Sequence, residues 1–156
     1  MRAHPITLVR RVGDLLFPPG CAGCDCPLPE GGAWCSECAA ELLEGASADY
    51  CQRCGQALGP HLGHPHGCPE CEGHRLYFEA FARVGSYKGI LGRLIRAYKF
   101  EHRQHLDRCL GRLLADAIAG KSWASDLQAL VPVPTTRLTR ILRGFHPVGQ
   151  LAAETG

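Results

Sequence analysis

Apolar side chains recur at helical spacing in the second half of the chain and are sparse between Cys21 and Cys71. The pattern from Gly89 to Phe100 predicts an amphipathic helix, and the pattern from His105 to Ile118 predicts a second one. The apolar face of the first helix consists of Leu91, Leu94, Ile95 and Tyr98, and that of the second of Leu106, Cys109, Leu110, Leu113, Leu114 and Ala117. Both helices therefore carry a face that must pack against a core.

Two segments of the same half have the pattern of β-strands. Apolar and aromatic residues nearly alternate with others from Phe78 to Tyr87, which predicts a strand. The run from Leu127 to Val133 is continuously apolar, short and bounded by prolines, so it fits a buried strand of a parallel sheet better than a helix. A basic loop or short helix is predicted from Thr135 to Gly144, and a further helix begins within Val148 to Glu154. This order of elements predicts an α/β fold.

The segment between Cys21 and Cys71 is rich in turn residues and has too few apolar residues for a conventional core. A unit of this size and composition needs a metal or disulfides to fold. Residues 5–16 before it predict a short helix that Pro18-Pro19-Gly20 ends. The predicted organisation is an N-terminal helix in 1–20, a cysteine-rich unit in 21–74 and an α/β unit in 75–156. Two strands are fewer than a doubly wound sheet requires, so the last unit reads as incomplete.

Eight of the ten cysteines form four Cys-x-x-Cys pairs, namely Cys21/Cys24, Cys35/Cys38, Cys51/Cys54 and Cys68/Cys71. Two residues between thiolates allow one turn to present both sulfurs to one ion, and two such turns complete a tetrahedral four-sulfur shell. The spacing predicts two zinc ribbons in tandem with two Zn²⁺. Neighbouring pairs are the expected partners, and a crossed arrangement is the alternative. Redox-active pairs and a disulfide scaffold are the competing interpretations of the eight thiols.

Two cysteines and a histidine cluster remain outside these pairs. Cys26 lies beside a predicted knuckle; it is interpreted as a bystander, with a role as alternative ligand left open. Cys109 falls on the apolar face of a helix and is expected in the core. The histidines His61, His64 and His66 occupy a loop rich in Gly and Pro, which is expected to be solvated rather than metal-binding.

Charge is distributed unevenly along the chain. Residues 1–71 hold four basic and eight acidic side chains, whereas residues 72–156 hold thirteen basic and seven acidic ones. A basic stripe at spacings of three and four follows the first predicted helix and consists of Arg93, Arg96, Lys99 and Arg103. Such a stripe is a candidate contact for nucleic-acid phosphates, although a solvated helix face is the simpler interpretation. The sequence contains no apolar run suited to a membrane span or signal peptide, so a cytoplasmic protein without membrane insertion is expected.

Several motifs in a fixed order resemble the ComF family. They are Leu15-Leu16-Phe17-Pro18-Pro19 before the first pair, the tandem cysteine pairs, Gly85-x-Tyr87-x-Gly89, Tyr98-Lys99-Phe100, Val131-Pro132-Val133-Pro134 and Arg137-x-x-Arg140-x-x-Arg143-Gly144-Phe145. The resemblance covers about residues 15–153. It implies a double zinc ribbon joined to a type I phosphoribosyltransferase-like domain, linked to DNA uptake in competent bacteria.

The resemblance also assigns candidate substrate residues. Pro134, Thr135 and Thr136 correspond to the family's diphosphate-side loop. The residues that correspond to its mobile basic loop are Arg137, Arg140, Arg143 and Gly144. A solvated basic turn is the alternative for this segment. The chain departs from the family at His146-Pro147, where family members usually have Asn-Gln after the Phe.

A second departure concerns the phosphoribosyl-diphosphate signature, which in the family is an apolar strand, two acidic residues and a Thr-Thr-Gly turn. No such stretch occurs in the 156 residues, so the chain is expected to be truncated before it. Mg²⁺ and phosphoribosyl diphosphate are expected only if a C-terminal half exists. The first function hypothesis is therefore a ComF-like phosphoribosyltransferase homologue that is catalytically incomplete as this chain. The alternative is a non-catalytic zinc-ribbon module that binds single-stranded DNA or a DNA-uptake protein.

Overall fold

The computed structural model describes residues 20–28, 32–47, 49–59, 68–71 and 73–156. The helix predicted for 5–16 and the three histidines of the loop, His61, His64 and His66, lie outside the described residues. Within the described part, five α-helices follow one another: α1 Ser36–Ser47, α2 Gly89–Phe100, α3 Asp107–Ala119, α4 Arg137–Arg143 and α5 Pro147–Thr155. Short 3₁₀ turns occupy Gln104–Leu106 and Ala124–Asp126.

The amphipathic pattern of the second half is confirmed by α2 and α3. In α2 the predicted face is turned inward, with Leu91, Leu94 and Tyr98 buried and the neighbouring Ile90 buried beside them. Leu106 and Leu110 bring the start of α3 into the same core. The predicted basic segment forms the short helix α4, and the last predicted helix is α5, which begins at Pro147, where the missing N–H of proline has no intrahelical partner to lose.

Tyr98 ties α2 to the C-terminal part of the chain. Its side chain is fully buried, and its hydroxyl donates a hydrogen bond of 3.0 Å to the carbonyl oxygen of Pro147. The ring also meets Phe145 edge to face, with 5.4 Å between the centroids. Helix α5 packs along α3, where Gly111 permits the close approach of Glu154. The C-terminal helix is thus held to both α2 and α3.

Neither predicted strand forms in this structure. Residues 78–87 are bends and irregular chain, and residues 127–136 are irregular, with only two isolated bridges present in the described ranges. The expectation that the run Leu127–Val133 is buried is wrong, because Val131 is 85% and Val133 74% exposed. A strand is stabilised by hydrogen bonds to a neighbour, and the described residues supply no neighbouring strand for this run. The predicted parallel sheet is therefore not confirmed.

The helices of the described residues are too short to cross a bilayer. The longest is α3 with 13 residues, whereas a spanning helix needs about 20 apolar ones.

Candidate metal centres

The first metal centre begins with a tight turn at Cys21–Cys24. The Cys21 N–H donates to the carbonyl of Cys26 at 2.8 Å, and the Asp25 N–H donates back to the carbonyl of Cys21 at 2.8 Å. Gly20 and Pro27 form a bridge that closes the base of the turn. Asp25 adopts the left-handed conformation, with φ of 60°, and so reverses the chain directly after the second cysteine. The result is a knuckle with Cys21 buried and Cys24 exposed.

The other half of this centre comes from the start of α1. Cys35 directly precedes the helix and Cys38 lies in its first turn. The Cys38 N–H points to the Cys35 sulfur at 3.4 Å, and the Cys35 N–H points to the Cys21 sulfur at 3.3 Å. A helix N-terminus favours a thiolate through its free N–H groups and its dipole. The start of the helix therefore positions the sulfurs of Cys35 and Cys38, and the Cys38 N–H lowers the pKa of Cys35.

The second centre repeats the same knuckle. The Cys51 N–H donates to the carbonyl of Gln56 at 2.9 Å, and Gly55, with φ of 79°, donates to the carbonyl of Cys51 at 2.8 Å. Tyr50 and Ala57 form the closing bridge. A single turn at residues 68–71 supplies the other two sulfurs, and the Cys68 N–H lies 3.3 Å from the Cys71 sulfur. The two ribbons thus share their knuckle, whereas their second halves differ.

The distances between the sulfurs match those of a tetrahedral zinc site. Sulfurs bound at about 2.3 Å in tetrahedral geometry lie about 3.8 Å apart. The distance from Cys24 to Cys35 is 3.7 Å, that from Cys51 to Cys71 is 3.8 Å and that from Cys54 to Cys68 is 3.5 Å. In each group all four sulfurs lie within 4.8 Å of one another; the groups are Cys21/Cys24/Cys35/Cys38 and Cys51/Cys54/Cys68/Cys71. Both clusters fit one Zn²⁺ each, and neighbouring pairs, not crossed ones, form each site.

The protein environment lowers the pKa of Cys21 and Cys35 in the first cluster and of Cys51 in the second. Burial raises the pKa of Cys21, but hydrogen bonds from the backbone N–H groups of Cys35 and Gly23 outweigh burial and lower the pKa to about 6. At Cys51 burial is likewise outweighed by backbone N–H groups, and the pKa falls to about 6. Burial, reinforced by the neighbouring sulfurs, raises the pKa of Cys38. Further ionisation therefore requires a cation, which is what a bound metal provides.

The two centres differ in what surrounds them. Cys21 and Cys38 belong to the main hydrophobic core together with Ile90, Leu94 and Tyr98. Gly23 lies in the contact, since a Cβ there would come within 2.5 Å of the Cδ1 of Ile90. The second centre forms a separate small cluster that includes Leu58 and Leu76. The first zinc site is consequently part of the core of the chain, and the second is a satellite.

The cysteines left over from the pairs have different environments. Cys109 is half-buried, and burial raises its pKa, in agreement with the predicted core position. Cys26 packs at the first cluster. The side chain of Cys24, followed by burial and the side chain of Cys35, raises the pKa of Cys26 to about 12. Cys26 is half-buried and packs against the core cluster that contains Cys21 and Cys38.

Ion pairs join the first ribbon to the basic second part of the chain, residues 72–156. The sequence pattern does not predict these pairs. Arg103 forms a two-point pair with Asp25, in which Nη1 lies 3.1 Å from Oδ2. Arg93 pairs with Glu41 of α1 at 3.1 Å. The sequence signal for these ion pairs is the opposite charge of the partners. It could not identify them, because no local spacing relates residues that are 52 or 78 positions apart.

The predicted basic stripe is therefore only partly free. Arg93, Arg96 and Arg103 line one groove of about 230 Å³ beside Ala22 and Gly23 of the first knuckle. Lys99 is half-buried and lies outside this groove. Within the described ranges neither Arg96 nor Lys99 forms an ion pair, in contrast to Arg93 and Arg103.

The second ribbon contacts the helices through Tyr50. The guanidinium of Arg83 lies 4.4 Å and the ammonium of Lys121 5.0 Å from the centre of the Tyr50 ring. Arg83 also donates to the carbonyl of Gly55 at 3.3 Å. Cation–π contacts of this kind each stabilise by about 0.5–1 kcal/mol at exposed sites. Arg83 thus joins the second knuckle to the irregular segment 78–87, and Lys121 joins it to the chain just after α3.

The candidate phosphate residues lie on and around α4. Pro134 and Thr136 are exposed and precede the helix, Arg137 and Arg140 are exposed on it, and Gly144 follows it with φ of 73°. The guanidinium of Arg143 stacks on the exposed ring of Phe100 at 4.9 Å. The hydroxyl of Thr135 is buried and has no hydrogen-bond partner in the described part of the chain. The structure thus brings these residues to one short segment and joins it to the end of α2 through Arg143.

Comparison with known proteins agrees with these centres. Residues 12–72 match the family described as Double zinc ribbon domain. The chain is also 28% identical over 123 residues to Competence protein F of Haemophilus influenzae, an alignment that covers 77% of this chain and 51% of the relative. The chain therefore spans about half the length of that curated relative. No solved structure matches it. The chain carries a double zinc ribbon with sites for two zinc ions, and it is similar to a competence protein.

Proposed function

We propose that this chain is a ComF-like protein with a role in competence, and that its zinc ribbons support a basic surface for single-stranded DNA. The similarity to Competence protein F supports the first part of the proposal. The organisation proposed is an N-terminal segment 1–20, the double ribbon 21–74 and a phosphoribosyltransferase-like part 75–156. A cytoplasmic location is part of the same proposal.

The observation that carries the DNA part is the groove where three arginines meet the first zinc knuckle. The ion pairs of Arg93 with Glu41 and of Arg103 with Asp25 hold two of them in place. Arg96 lies in the same groove without an ion pair in the described ranges and is exposed. An exposed arginine on a rigid helix can neutralise a phosphate of a passing strand. Arg93 and Arg103 then act mainly in positioning. Arg96 is available for contact, together with Lys99, which lies outside the groove three residues further along α2.

Base stacking has a candidate at the end of the same helix. Phe100 is 62% exposed, whereas Tyr98 is fully buried and is excluded from any contact with a base. The Arg143 guanidinium already covers the Phe100 ring at 4.9 Å. Aromatic rings and arginine planes are the surfaces on which single-stranded bases stack. The surface proposed for DNA consists of Arg96, Lys99, Phe100 and Arg143.

The test is binding of a fluorescent single-stranded oligonucleotide by the zinc-loaded chain over a range of salt concentrations. The double variant Arg96→Glu/Lys99→Glu is compared with Arg75→Glu/Arg108→Glu, which makes the same charge change at exposed arginines elsewhere. Each single-strand phosphate contact contributes about 0.7 to the slope of log affinity against log salt. The first variant should reduce the slope by about 1.4, and the control should leave it close to that of the wild type.

Equal losses of DNA affinity in both variants would show that binding depends only on net charge, which would contradict a specific surface. Binding that does not depend on salt would also contradict it. The role in competence is tested separately, by deleting the gene in its host and counting transformants with donor DNA. An unchanged transformation frequency would contradict that role, whatever the result of the binding experiment.

A second candidate function concerns phosphoribosyl transfer. The buried hydroxyl of Thr135 without a partner in the described part, next to the arginines of α4, favours a phosphate-side loop at this segment. The 156 residues lack the acidic pair and the Thr-Thr-Gly turn that the ComF resemblance calls for, so we infer that they do not catalyse the transfer by themselves. With Mg²⁺ and phosphoribosyl diphosphate, diphosphate release should equal that of the variant Pro134→Ala/Arg143→Ala. Release well above that variant would contradict the inference.

A further inference from the structure

A cleft lies where the loop before α1 meets helices α3 and α5. Its volume is about 310 Å³, and its lining includes an indole, two guanidiniums, two carboxylates and a thiol, those of Trp34, Arg108, Arg112, Asp116, Glu154 and Cys109. No described residue lines both this cleft and the arginine groove on α2. Binding sites for small molecules measure about 300–1,000 Å³. The cleft therefore has room for one small molecule.

The walls of the cleft are held by contacts that need no ligand. The Ala22 N–H donates to the carbonyl of Ala33 at 2.9 Å, which ties the loop before Trp34 to the first knuckle. Trp34 itself is half-buried and packs against the main hydrophobic core. At the other wall the Thr155 hydroxyl donates to the carbonyl of Gly111 at 3.4 Å and so ties the end of α5 to α3. A site that is already formed loses less entropy when it binds.

The charged side chains of the cleft are available to a polar ligand. Arg108, Arg112 and Asp116 recur every four residues and therefore share one face of α3. Glu154 of α5 lines the same cleft. All four side chains are exposed, and none of them forms an ion pair with another described residue. Both donors and acceptors are thus left for a bound molecule.

Three kinds of group in one small cleft indicate the class of ligand. Two guanidiniums bind phosphate oxygens with several donors in a fixed geometry. An indole can stack on a planar heterocyclic base, and carboxylates accept hydrogen bonds from sugar hydroxyls or base amino groups. A single nucleotide carries all three partners. A nucleic-acid strand would bring further phosphates toward Asp116 and Glu154, and these like charges repel.

We propose that this cleft binds a single nucleotide, independently of the DNA surface on α2. The base stacks on Trp34, and the phosphate is bound by Arg108 and Arg112. Asp116 and Glu154 accept hydrogen bonds from the hydroxyl and amino groups of the nucleotide. None of these residues belongs to the surface proposed for DNA, so the site does not rest on the proposed function. A strand on α2 leaves the cleft open, and Arg108 contributes to nucleotide affinity but not to strand affinity.

The test is titration of the zinc-loaded full-length chain with adenosine monophosphate and with adenosine, followed by tryptophan fluorescence. The chain has two tryptophans, and Trp123 does not line the cleft, so the variant Trp123→Phe leaves Trp34 as the reporter. Adenosine monophosphate should quench its emission with a saturable curve. In the same background, Arg108→Gln/Arg112→Gln should weaken adenosine monophosphate about tenfold or more. It should leave adenosine, which has no phosphate, unchanged.

The matched control is Arg53→Gln/Arg75→Gln, which removes two exposed arginines outside the cleft and should leave both affinities unchanged. Cys109 gives a second readout in the wild-type chain, because it lines the cleft and is half-buried. Adenosine monophosphate should slow its alkylation, measured by mass spectrometry of the peptides. A saturating single-stranded oligonucleotide should not displace the nucleotide.

Four results would overturn the proposal. They are the absence of saturable quenching, an adenosine monophosphate affinity that Arg108→Gln/Arg112→Gln does not change, an unchanged rate of Cys109 alkylation, and competition by the oligonucleotide. The last result would show that the cleft belongs to the path of a strand rather than to a separate nucleotide site.

Discussion

The side-chain carboxylate of Glu41 in α1 accepts a hydrogen bond of 2.8 Å from the backbone N–H of Ile90 in the first turn of α2. The other carboxylate oxygen lies 3.1 Å from Arg93. An acidic group at a helix N-terminus satisfies a free N–H and interacts favourably with the helix dipole. Glu41 therefore links α1, which carries the zinc ligand Cys38, to α2, which carries Arg93 and Arg96 of the basic groove.

This link predicts a measurable loss of stability in Glu41→Ala. Removal of the carboxylate leaves the Ile90 N–H without its cap, which costs about 1 kcal/mol, and removes an exposed ion pair that adds about 0–1 kcal/mol. Glu44→Ala, on the same helix and without an ion pair in the described ranges, is the matched control. Chemical denaturation should show a lower midpoint for Glu41→Ala only. Equal midpoints for the two variants would contradict the capping role.

The buried hydroxyl of Tyr98 predicts a pH-dependent stability. Burial, with a smaller contribution from Asp107, raises the pKa of Tyr98 from 10.0 to about 12. The folded state thus favours the neutral phenol, so this contribution is complete below about pH 10 and is lost as the pH rises through 12. Tyr98→Phe should cost about 1–2 kcal/mol at neutral pH, because the Pro147 carbonyl loses its donor.

The same variant provides the alkaline test. The free-energy difference between the wild type and Tyr98→Phe should shrink between pH 10 and 12, because the variant has no phenol to ionise. The control is Tyr87→Phe, at a ring that is largely exposed. A difference that stays constant up to pH 12 would show that the Tyr98 hydroxyl does not ionise with an altered pKa.

Two glycine-to-alanine changes should act in opposite directions. At Gly23 a Cβ would come within 2.5 Å of Ile90 Cδ1 and 2.8 Å of the Cys38 sulfur, so Gly23→Ala should destabilise by about 1–3 kcal/mol. At Gly45 within α1 a Cβ meets nothing within 4 Å, and Gly45→Ala should stabilise by up to about 1 kcal/mol through helix propensity. Thermal unfolding of the two variants checks both signs. A Gly23→Ala protein as stable as the wild type would contradict the close packing of the knuckle on α2.

The unequal surroundings of the two centres predict different consequences of losing each zinc. Cys21→Ala should expose amides of α2 as well as those of the ribbon, because Cys21 shares a core with Leu94 and Tyr98. Cys51→Ala should expose mainly residues 49–59 and 68–71, because the second centre is a separate cluster. Hydrogen exchange followed by mass spectrometry distinguishes the two patterns. Equal loss of protection in α2 would contradict the division into a core site and a satellite site.

The zinc ligands and two of the helices could be predicted from local sequence. Cys-x-x-Cys spacing is sufficient to bring two sulfurs to one ion, and the apolar period of α2 leaves one possible inner face. Helix α1 was not predicted, because the Cys-x-x-Cys pair at its start is typical of a turn. Good helix formers nevertheless follow this pair, namely Ala39, Ala40, Leu42 and Leu43. The left-handed conformation of Asp25 in the first knuckle could not be predicted, because the residue type does not specify it.

The tertiary contacts made by residues 72–156 could not be predicted in the same way. The pairs of Arg103 with Asp25 and of Arg93 with Glu41 depend on tertiary packing. The sequence therefore predicts a stripe of four equivalent basic residues, whereas in the structure two of them are held in ion pairs. The apolar run Leu127–Val133 has the composition of a buried strand, but composition does not provide the neighbour that a strand needs. A strand needs both a suitable local sequence and a neighbouring strand. Within the described residues, the run Leu127–Val133 has the suitable sequence but no neighbouring strand.

The geometry of the eight ligand cysteines predicts that the chain holds two structural zinc ions, one of them within its core. Mass spectrometry of the intact protein under native conditions, after purification without chelator, tests it most directly. We expect a mass equal to that of the chain with two zinc ions, and all eight ligand cysteines protected from alkylation until the metal is removed. A metal-free chain whose cysteines react at once, or one with disulfides in place of zinc, would contradict it.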